Sequence, residues 1–323
     1  MKKIAVFTSG GDSPGMNACV RAVVRSAIDK GLGVYGIKRG YNGIISGDIE
    51  QLTSRNVSNI IQRGGTFLKS ARSKEFMTRE GREKAHDQLM KIGIEGLVAI
   101  GGDGTFTGAM VFEKEFGFPM IGIPGTIDND LFGTDSTIGY DTALNTVVEA
   151  VDKIRDTAHS HDRLFIVEVM GRDAGFIALR SGIAVGAEAI LVPETTTYID
   201  NLLNKIQSDW KKNKTSSIII VAEGDDFGGA YKVAEAVGNQ YDHFDIKVTI
   251  LGHVQRGGSP TAFDRVLASR LGVEAVNLLF AGKKGMMVGV KNNNISCTPF
   301  EKATKHHKDL NQSLLELVRV LSI

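Results

Sequence analysis

The sequence predicts an α/β protein of two lobes with mostly parallel sheets, and three observations carry that prediction. Short runs apolar at nearly every position, at residues 4–8, 34–37, 97–100, 120–123, 164–169, 218–222, 248–251 and 287–290, alternate with longer amphipathic stretches. A strand apolar on both faces is buried on both, as in a parallel sheet sandwiched by helices. Five of these runs end in clusters of Gly, Ser, Thr and Asp, at residues 8–12, 101–105, 125–130, 170–173 and 223–226, and ligands bind such sheets at the carboxyl ends of their strands. Finally, 323 residues exceed the roughly 150 that one domain usually holds.

Charge excludes some function classes. The 38 Lys and Arg balance 37 Asp and Glu, for a net charge of +1, so no global field points to nucleic acid or membrane. Any anion site is local. Cys19 and Cys297 are far apart and offer neither a metal-ligand pair nor a disulfide framework, which suits the reducing cytosol. The first apolar run stops at Ser9-Gly10-Gly11, about half the length of a signal or membrane segment.

Taken in order, the run at residues 4–8 is a strand followed by Gly10, Gly11 and Gly15, and then by a helical pattern over residues 16–30. Backbone amides and a helix N-terminus there can hold phosphate, although neither G-x-x-x-x-G-K-[ST] nor G-x-G-x-x-G occurs. Gly101-Gly102-Asp103-Gly104-Thr105 repeats the design before another helix. Its glycines let the backbone approach a polyphosphate, and Asp103 is better placed than Asp12 to reach a hydrated Mg²⁺. The run at residues 120–123 ends in Pro124-Gly125-Thr126-Ile127-Asp128-Asn129-Asp130. In an extended segment Asp128 and Asp130 point the same way, with Thr126 beside them, so one carboxylate can take a proton while the other manages a metal or its partner's pKa. A plain turn uses the same residue types; the acidic glycine loop upstream favours the functional reading.

Together these segments resemble ATP-dependent 6-phosphofructokinase of the bacterial type, over nearly the whole chain. The resemblance rests on Thr8-Ser9-Gly10-Gly11-Asp12-Ser13-Pro14-Gly15-Met16-Asn17, on the Gly-Gly-Asp-Gly-Thr and acidic loops, on Val169-Met170-Gly171-Arg172, and on Gly252-His253-Val254-Gln255-Arg256-Gly257-Gly258-Ser259-Pro260. Gly-Gly-Asp-Gly-Thr alone would also suit NAD kinases and diacylglycerol kinases; the other motifs decide against them.

The resemblance implies the phosphofructokinase fold, two Rossmann-like three-layer αβα lobes. Residues 1–139 with 255–305 would bind ATP, and residues 140–254 with 306–323 fructose 6-phosphate. Gly11, Arg72, Ser73, Gly102, Asp103, Gly104 and Thr105 would line the ATP site, with Tyr41 and Phe76 near the adenine and Asp103 on Mg²⁺. Asp128 would be the base for the sugar's 1-hydroxyl, with Thr126, Ile127 and Asp130 around it and Arg72 and Arg172 touching the migrating phosphoryl group. Met170, Gly171, Arg172, Glu223, His253, Val254, Gln255 and Arg256 would hold the sugar phosphate. Arg163 and Lys247 would reach in from a neighbouring subunit of a cytoplasmic homotetramer. An effector site for ADP and phosphoenolpyruvate would use Arg21, Ala22, Val23, Val24 and Arg25 with Arg155, Gly186, Ala187, Glu188, Lys212, Lys214, Thr215 and Ser216 of a partner.

Pyrophosphate-dependent relatives carry Asp and Lys where this chain has Gly104 and Gly125, so the resemblance favours ATP as donor. Two alternatives are a pyrophosphate-dependent enzyme and a non-catalytic nucleotide-sensing subunit; intact Asp103, Asp128 and Arg172 oppose the second. Lys247 departs from the usual Arg, which implies a weaker grip on phosphate because an ammonium cannot bind it bidentately. Met77, Ser73, Ser54, Asn59 and Thr215 also depart from the family's usual residues, the last three in the effector region.

Overall fold

The computed structural model describes residues 1–159, 163–211, 217–241, 245–306 and 308–321. In chain order its elements are β1 (Lys3–Thr8), α1 (Met16–Asp29), β2 (Gly33–Ile37), α2 (Tyr41–Ser46), β3 (Ile49–Leu52), α3 (Arg79–Ile92), β4 (Leu97–Gly101), α4 (Asp103–Phe116) and β5 (Met120–Pro124). There follow α5 (Tyr140–His159), β6 (Arg163–Val169), α6 (Phe176–Ala184), β7 (Ala189–Leu191), α7 (Ile199–Lys211), β8 (Ser217–Ala222), α8 (Ala230–Gln240) and β9 (Asp245–Ile250). The chain ends with α9 (Ala262–Phe280), β10 (Met286–Lys291), β11 (Asn294–Pro299), α10 (Phe300–Lys305) and α11 (Gln312–Leu321). These elements group into two compact units: residues 1–127, 131–142 and 256–308, and residues 128–130, 143–255 and 309–323.

The first unit holds a seven-stranded sheet in the order β11-β10-β5-β4-β1-β2-β3. Its five inner strands run parallel, and only the edge pairs β2–β3 and β10–β11 are antiparallel. Strand side chains alternate between two apolar layers. Ile4, Val6, Val98, Ile100, Ile121 and Ile123 face Val20 and Val24 of α1 and Leu271 and Val276 of α9. Ala5, Phe7, Leu97, Ala99 and Met120 face Leu89 of α3, Phe106 and Phe112 of α4 and Phe300 of α10. Each large apolar side chain buried this way contributes about 1.5–3 kcal/mol, enough to fix which loops meet at the strand ends.

The second unit holds a fully parallel four-stranded sheet, order β7-β8-β6-β9. Leu164, Ile166, Ile219 and Val221 pack on Leu202 and Ile206 of α7 and Val233 and Val237 of α8.

The expected boundary at residue 139 left Asp128, Asn129 and Asp130 with the first lobe; they group with the second unit instead. No helix among the described residues is long and apolar enough to cross a membrane.

Candidate functional site

In the first unit, β5, β4 and β1 are consecutive neighbours. Adjacent strands lie about 4.8 Å apart, so the three glycine loops that leave their carboxyl ends sit side by side. Backbone bonds tie them: Ser9 N–H donates to the Ile100 carbonyl at 2.9 Å and Gly125 N–H to the Gly101 carbonyl at 3.0 Å. Asp103 is the first residue of α4 rather than part of a loop, with Gly102 as the extended N-cap. The first-turn amides of α4 and its positive dipole end therefore open where an anion would sit. Asp103 and Gly104 are exposed and Thr105 is buried.

Arg256 belongs to this unit. Its Nη1 donates to the Asp12 carbonyl at 3.3 Å, and a Cβ on Gly11 would stand 2.4 Å from that nitrogen. A side chain at position 11 would push that guanidinium aside, and a residue expected to hold the sugar phosphate lies on the first phosphate loop.

Tyr41 and Phe76 stack on each other with ring centroids 3.8 Å apart, each only 5 % exposed. The Tyr41 hydroxyl donates to the Thr105 carbonyl at 2.6 Å, and burial pushes its pKa far up. The pair thus braces the first turn of α4 and offers ring edges rather than open faces. Ser73 Oγ accepts from Phe76 N–H at 3.2 Å, and Arg72 is exposed.

The acidic loop is not extended. The chain bends at Ile127 and Asp128, and Asn129 takes a left-handed φ of 56°, which Asn tolerates better than most residues. Asp128 and Asp130 therefore lack the alternation expected of an extended segment: Asp128 is 2 % exposed while Asp130 is half-buried. Ile127 is fully buried, so only its backbone can meet a ligand.

In the second unit, β6 lies between β8 and β9, which sets three loops at one sheet edge: Met170 to Arg172, Glu223, and the turn from Gly252 to Gln255. Glu223 Oε1 accepts from Gly171 N–H at 3.3 Å and from Arg172 N–H at 2.8 Å. Arg172 has a left-handed φ of 53°, a conformation that costs a non-glycine residue about 1 kcal/mol or more. A Cβ on Gly224 would stand 2.0 Å from the Arg172 carbonyl and one on Gly171 2.2 Å from that of Ala174. So held, Arg172 places Nε 3.5 Å from Asp128 Oδ2.

Gln255, expected to bind substrate, is fully buried. It accepts from Met170 N–H at 3.2 Å and donates to the Gly252 carbonyl at 3.0 Å, so it braces the loop instead. His253 and Val254 are exposed.

Arg163 and Lys247 share one carboxylate: Arg163 Nε lies 2.7 Å from Asp245 Oδ2 and Lys247 Nζ 2.6 Å from Oδ1. Hydrogen bonds from Lys247 and then Arg163 hold Asp245 below the usual carboxylate range. Arg163 opens β6, and Lys247, third in β9, lies in register with Phe165. At about 3.3 Å per residue, Arg163 stands roughly 20 Å and Lys247 roughly 16 Å from the Met170 loop along the strands.

Of the expected effector residues, Ala22, Val23 and Val24 are buried, the two valines in the core against α9; only Arg21 and Arg25 on that stretch reach solvent. In the second unit Arg155 Nη2 donates to the Val185 carbonyl, Gly186 takes a φ of 59°, Ala187 is buried, and Glu188 Oε2 accepts from Ile218 N–H at 2.6 Å. Lys212, Lys214, Thr215 and Ser216 lie outside the described residues.

Two supporting residues carried no role in the sequence reading. Thr137 Oγ1 donates to the Thr126 carbonyl at 2.6 Å. Asn17 donates to the Arg63 and Gly64 carbonyls and accepts from Phe67 N–H at 2.8 Å. Asn17 carries a signal, a polar residue in an apolar helix; Thr137 carries none.

Comparison with known proteins agrees with the geometry. The family described as Phosphofructokinase matches residues 3–279. "ATP-dependent 6-phosphofructokinase 2" of Bacteroides thetaiotaomicron is 57% identical over 323 residues, covering 100% of this chain and 99% of the relative. The structure of phosphofructokinase from Saccharomyces cerevisiae superposes with a TM-score of 0.90 at 38% identity over 100% of this chain, which spans about half, 47%, of that one. A pyrophosphate-dependent phosphofructokinase from Marinobacter aquaeolei reaches a TM-score of 0.84 at 22% identity, covering 99% of this chain and 91% of its own, a likeness of fold alone.

Proposed function

The chain belongs to the phosphofructokinase family, and we propose that it transfers the γ-phosphoryl group of ATP to the 1-hydroxyl of fructose 6-phosphate, giving ADP and fructose 1,6-bisphosphate. The observation that carries this reading is the buried Asp128 carboxylate with the Arg172 guanidinium 3.5 Å away: a base for a hydroxyl and a cation for the phosphoryl group it attacks.

In this reading the first unit binds the nucleotide and the second the sugar phosphate. Amides of the Gly11 loop and of the α4 N-terminus cradle the polyphosphate, with Arg72 above it. Asp128 takes the proton of the 1-hydroxyl as that oxygen attacks phosphorus in line; the bond to the β–γ bridging oxygen breaks, and ADP leaves with the electron pair. Arg172 neutralises charge developing on the equatorial oxygens, while Thr126 and Asp130 orient the sugar. Met170, Gly171, Glu223 and His253 hold the sugar phosphate.

A hard divalent cation that keeps most of its waters needs only one or two carboxylates besides phosphate oxygens. Asp103, exposed on the first turn of α4, fits that demand, and among the described residues no cluster of three or more His, Cys, Asp or Glu forms an all-protein cage. Bound there, Mg²⁺ would neutralise phosphate charge.

Homotetramer assembly with shared sites finds support in Arg163, at the amino end of β6, and Lys247, in register with Phe165 on β9, both removed from the Met170 loop and so suited to a neighbouring copy's sugar phosphate. ADP and phosphoenolpyruvate would act at the face of Arg21 and Arg25 with Arg155 and Glu188 of a partner. A cytoplasmic setting suits two free cysteines, one exposed.

Gly104 supports ATP over pyrophosphate, because a side chain there would meet open space, which the glycine leaves to the nucleotide. A coupled assay with ATP and with pyrophosphate as donor tests the reading. Turnover with ATP is expected; turnover only with pyrophosphate, or none with either, overturns it.

A further inference from the structure

A buried carboxylate of the first unit has no part in the scheme above. Asp264, in the first turn of α9, is fully buried. Its Oδ1 accepts from Gly139 N–H at 2.9 Å, and its Oδ2 from Thr142 N–H at 2.8 Å and Thr142 Oγ1–H at 2.6 Å. These amides open α5, so a carboxylate from one helix closes the N-terminus of another. The arrangement is reciprocal. Thr261, the N-cap of α9, donates from Oγ1 to Asp141 Oδ2 at 2.7 Å and from its amide to Thr142 Oγ1 at 3.0 Å.

The clamped turn leads to the acidic loop. Just before it, Ile138 N–H donates to the Pro124 carbonyl at 2.9 Å, Ile138 bridges Gly125, and Thr137 Oγ1 donates to the Thr126 carbonyl at 2.6 Å. Thr126 lies two residues before Asp128 along the chain. Burial pushes the Asp264 carboxyl up to about 6 despite its donors, so the position carries a cost that helix capping alone does not require, since Ser or Thr caps a helix without it.

We propose that Asp264 is a positioning residue for phosphoryl transfer: by clamping the turn from Gly139 to Thr142 it fixes, through Thr137 and Ile138, where the Thr126 to Asp130 loop sits. This rests on the activity proposed above. Misplacing a reacting group by about 1 Å costs about 100-fold in rate, whereas nucleotide contacts on the α4 N-terminus do not pass through this turn. The sequence holds a faint signal, Thr261-Ala262-Phe263-Asp264, the spacing of a capping box.

Three preparations test it: Asp264→Asn, which turns a donor towards the three donors now satisfied; Thr137→Val, which cuts the link to Thr126 and leaves the clamp whole; and the double variant. The expected result is a kcat loss of roughly 10- to 100-fold in Asp264→Asn with KM for ATP within about twofold, a smaller loss in Thr137→Val, and a double variant no slower than Asp264→Asn, because both act through one path. Amide hydrogen exchange of residues 125–130 is expected to speed up in both single variants while that of residues 102–105 does not. A folded Asp264→Asn with kcat within about twofold of the parent, a multiplicative double variant, or unchanged exchange at residues 125–130 would overturn the proposal. Should Asp264→Asn fail to fold, Thr137→Val decides alone. An inactive parent chain refutes the activity instead, and the exchange measurement still judges the clamp.

Discussion

In the proposed reading the two units solve the same problem, holding a phosphorylated ligand at the carboxyl ends of parallel strands, with different materials. In the first unit the phosphate surface is backbone: Gly10, Gly11, Gly102 and Gly104 and the opening turn of α4, supported from below by Tyr41 bonded to the Thr105 carbonyl. In the second it is side chain braced by side chain: Glu223 holds the amides of Gly171 and Arg172, Gln255 holds that of Met170, and Arg172 is kept left-handed to meet Asp128. A backbone surface tolerates substitution wherever a Cβ fits. A braced one fails when a single carboxylate is removed, because the amide donors that set the loop's shape then lose their shared partner.

The largest test of this contrast is Asp128→Asn, which keeps the shape of the braced half and removes the base. Turnover is expected to fall by about 10²–10⁴-fold with KM for both substrates changed by less than about threefold. Single-turnover kinetics measures this, and near-full turnover would remove Asp128 from its role. Next comes Glu223→Ala, which leaves the amides of Gly171 and Arg172 without their acceptor and frees Arg172 from its left-handed conformation. Loss of a charged hydrogen-bonding partner costs about 1.5–3 kcal/mol, so kcat/KM for fructose 6-phosphate is expected to fall by roughly 10- to 100-fold with KM for ATP unmoved. Glu223→Gln, which retains one acceptor, should fall between.

On the backbone side the two positions that speak to donor choice behave differently. A Cβ on Gly104 meets nothing within 4 Å, whereas one on Gly125 would stand 2.9 Å from Ile100 Cγ2 and 3.1 Å from Met16 Cε. Gly104→Asp is therefore expected to leave the melting temperature within about 2 °C, in keeping with a surface change, and to raise KM for ATP about 10-fold by placing a carboxylate among phosphates. Gly125→Lys is expected to destabilise the fold by overpacking, which a thermal melt separates from any effect on donor. A Gly104→Asp enzyme with unchanged KM for ATP would show that the α4 turn does not face the nucleotide.

The sequence revealed the strands of both units where burial is two-sided, because a run apolar at nearly every position has few other readings. It was silent on β3 and β11, edge strands built as Ile49-Glu50-Gln51-Leu52 and Asn294-Ile295-Ser296-Cys297-Thr298-Pro299, since an edge facing water carries no apolar run. The phosphate loops were legible because glycine has few reasons to cluster after a strand. The acidic loop was legible in composition and illegible in shape: period-two alternation assumes extended backbone, and the left-handed Asn129 breaks it. The braces were hidden for a different reason. Glu223, Gln255 and Asp264 accept from backbone amides between 51 and 125 residues away, and no local spacing encodes such partners.

The smallest effect is expected at the amino end of the second sheet, where Lys247 departs from the resemblance. Its ammonium and the Arg163 guanidinium both lean on Asp245, so reaching a ligand's phosphate means leaving that carboxylate. Exposed pairs of this kind hold weakly, and the competition changes affinity by no more than about fivefold. Lys247→Arg adds bidentate geometry without removing the competitor, and is expected to lower KM for fructose 6-phosphate by about two- to fivefold; Asp245→Asn should release both cations and act in the same direction. Because the surface is exposed, both gains should shrink as salt rises. If the gains persist at high salt, or if Lys247→Arg leaves KM unchanged, position 247 acts elsewhere than on a phosphate, and this end of the sheet does not belong with the braced half.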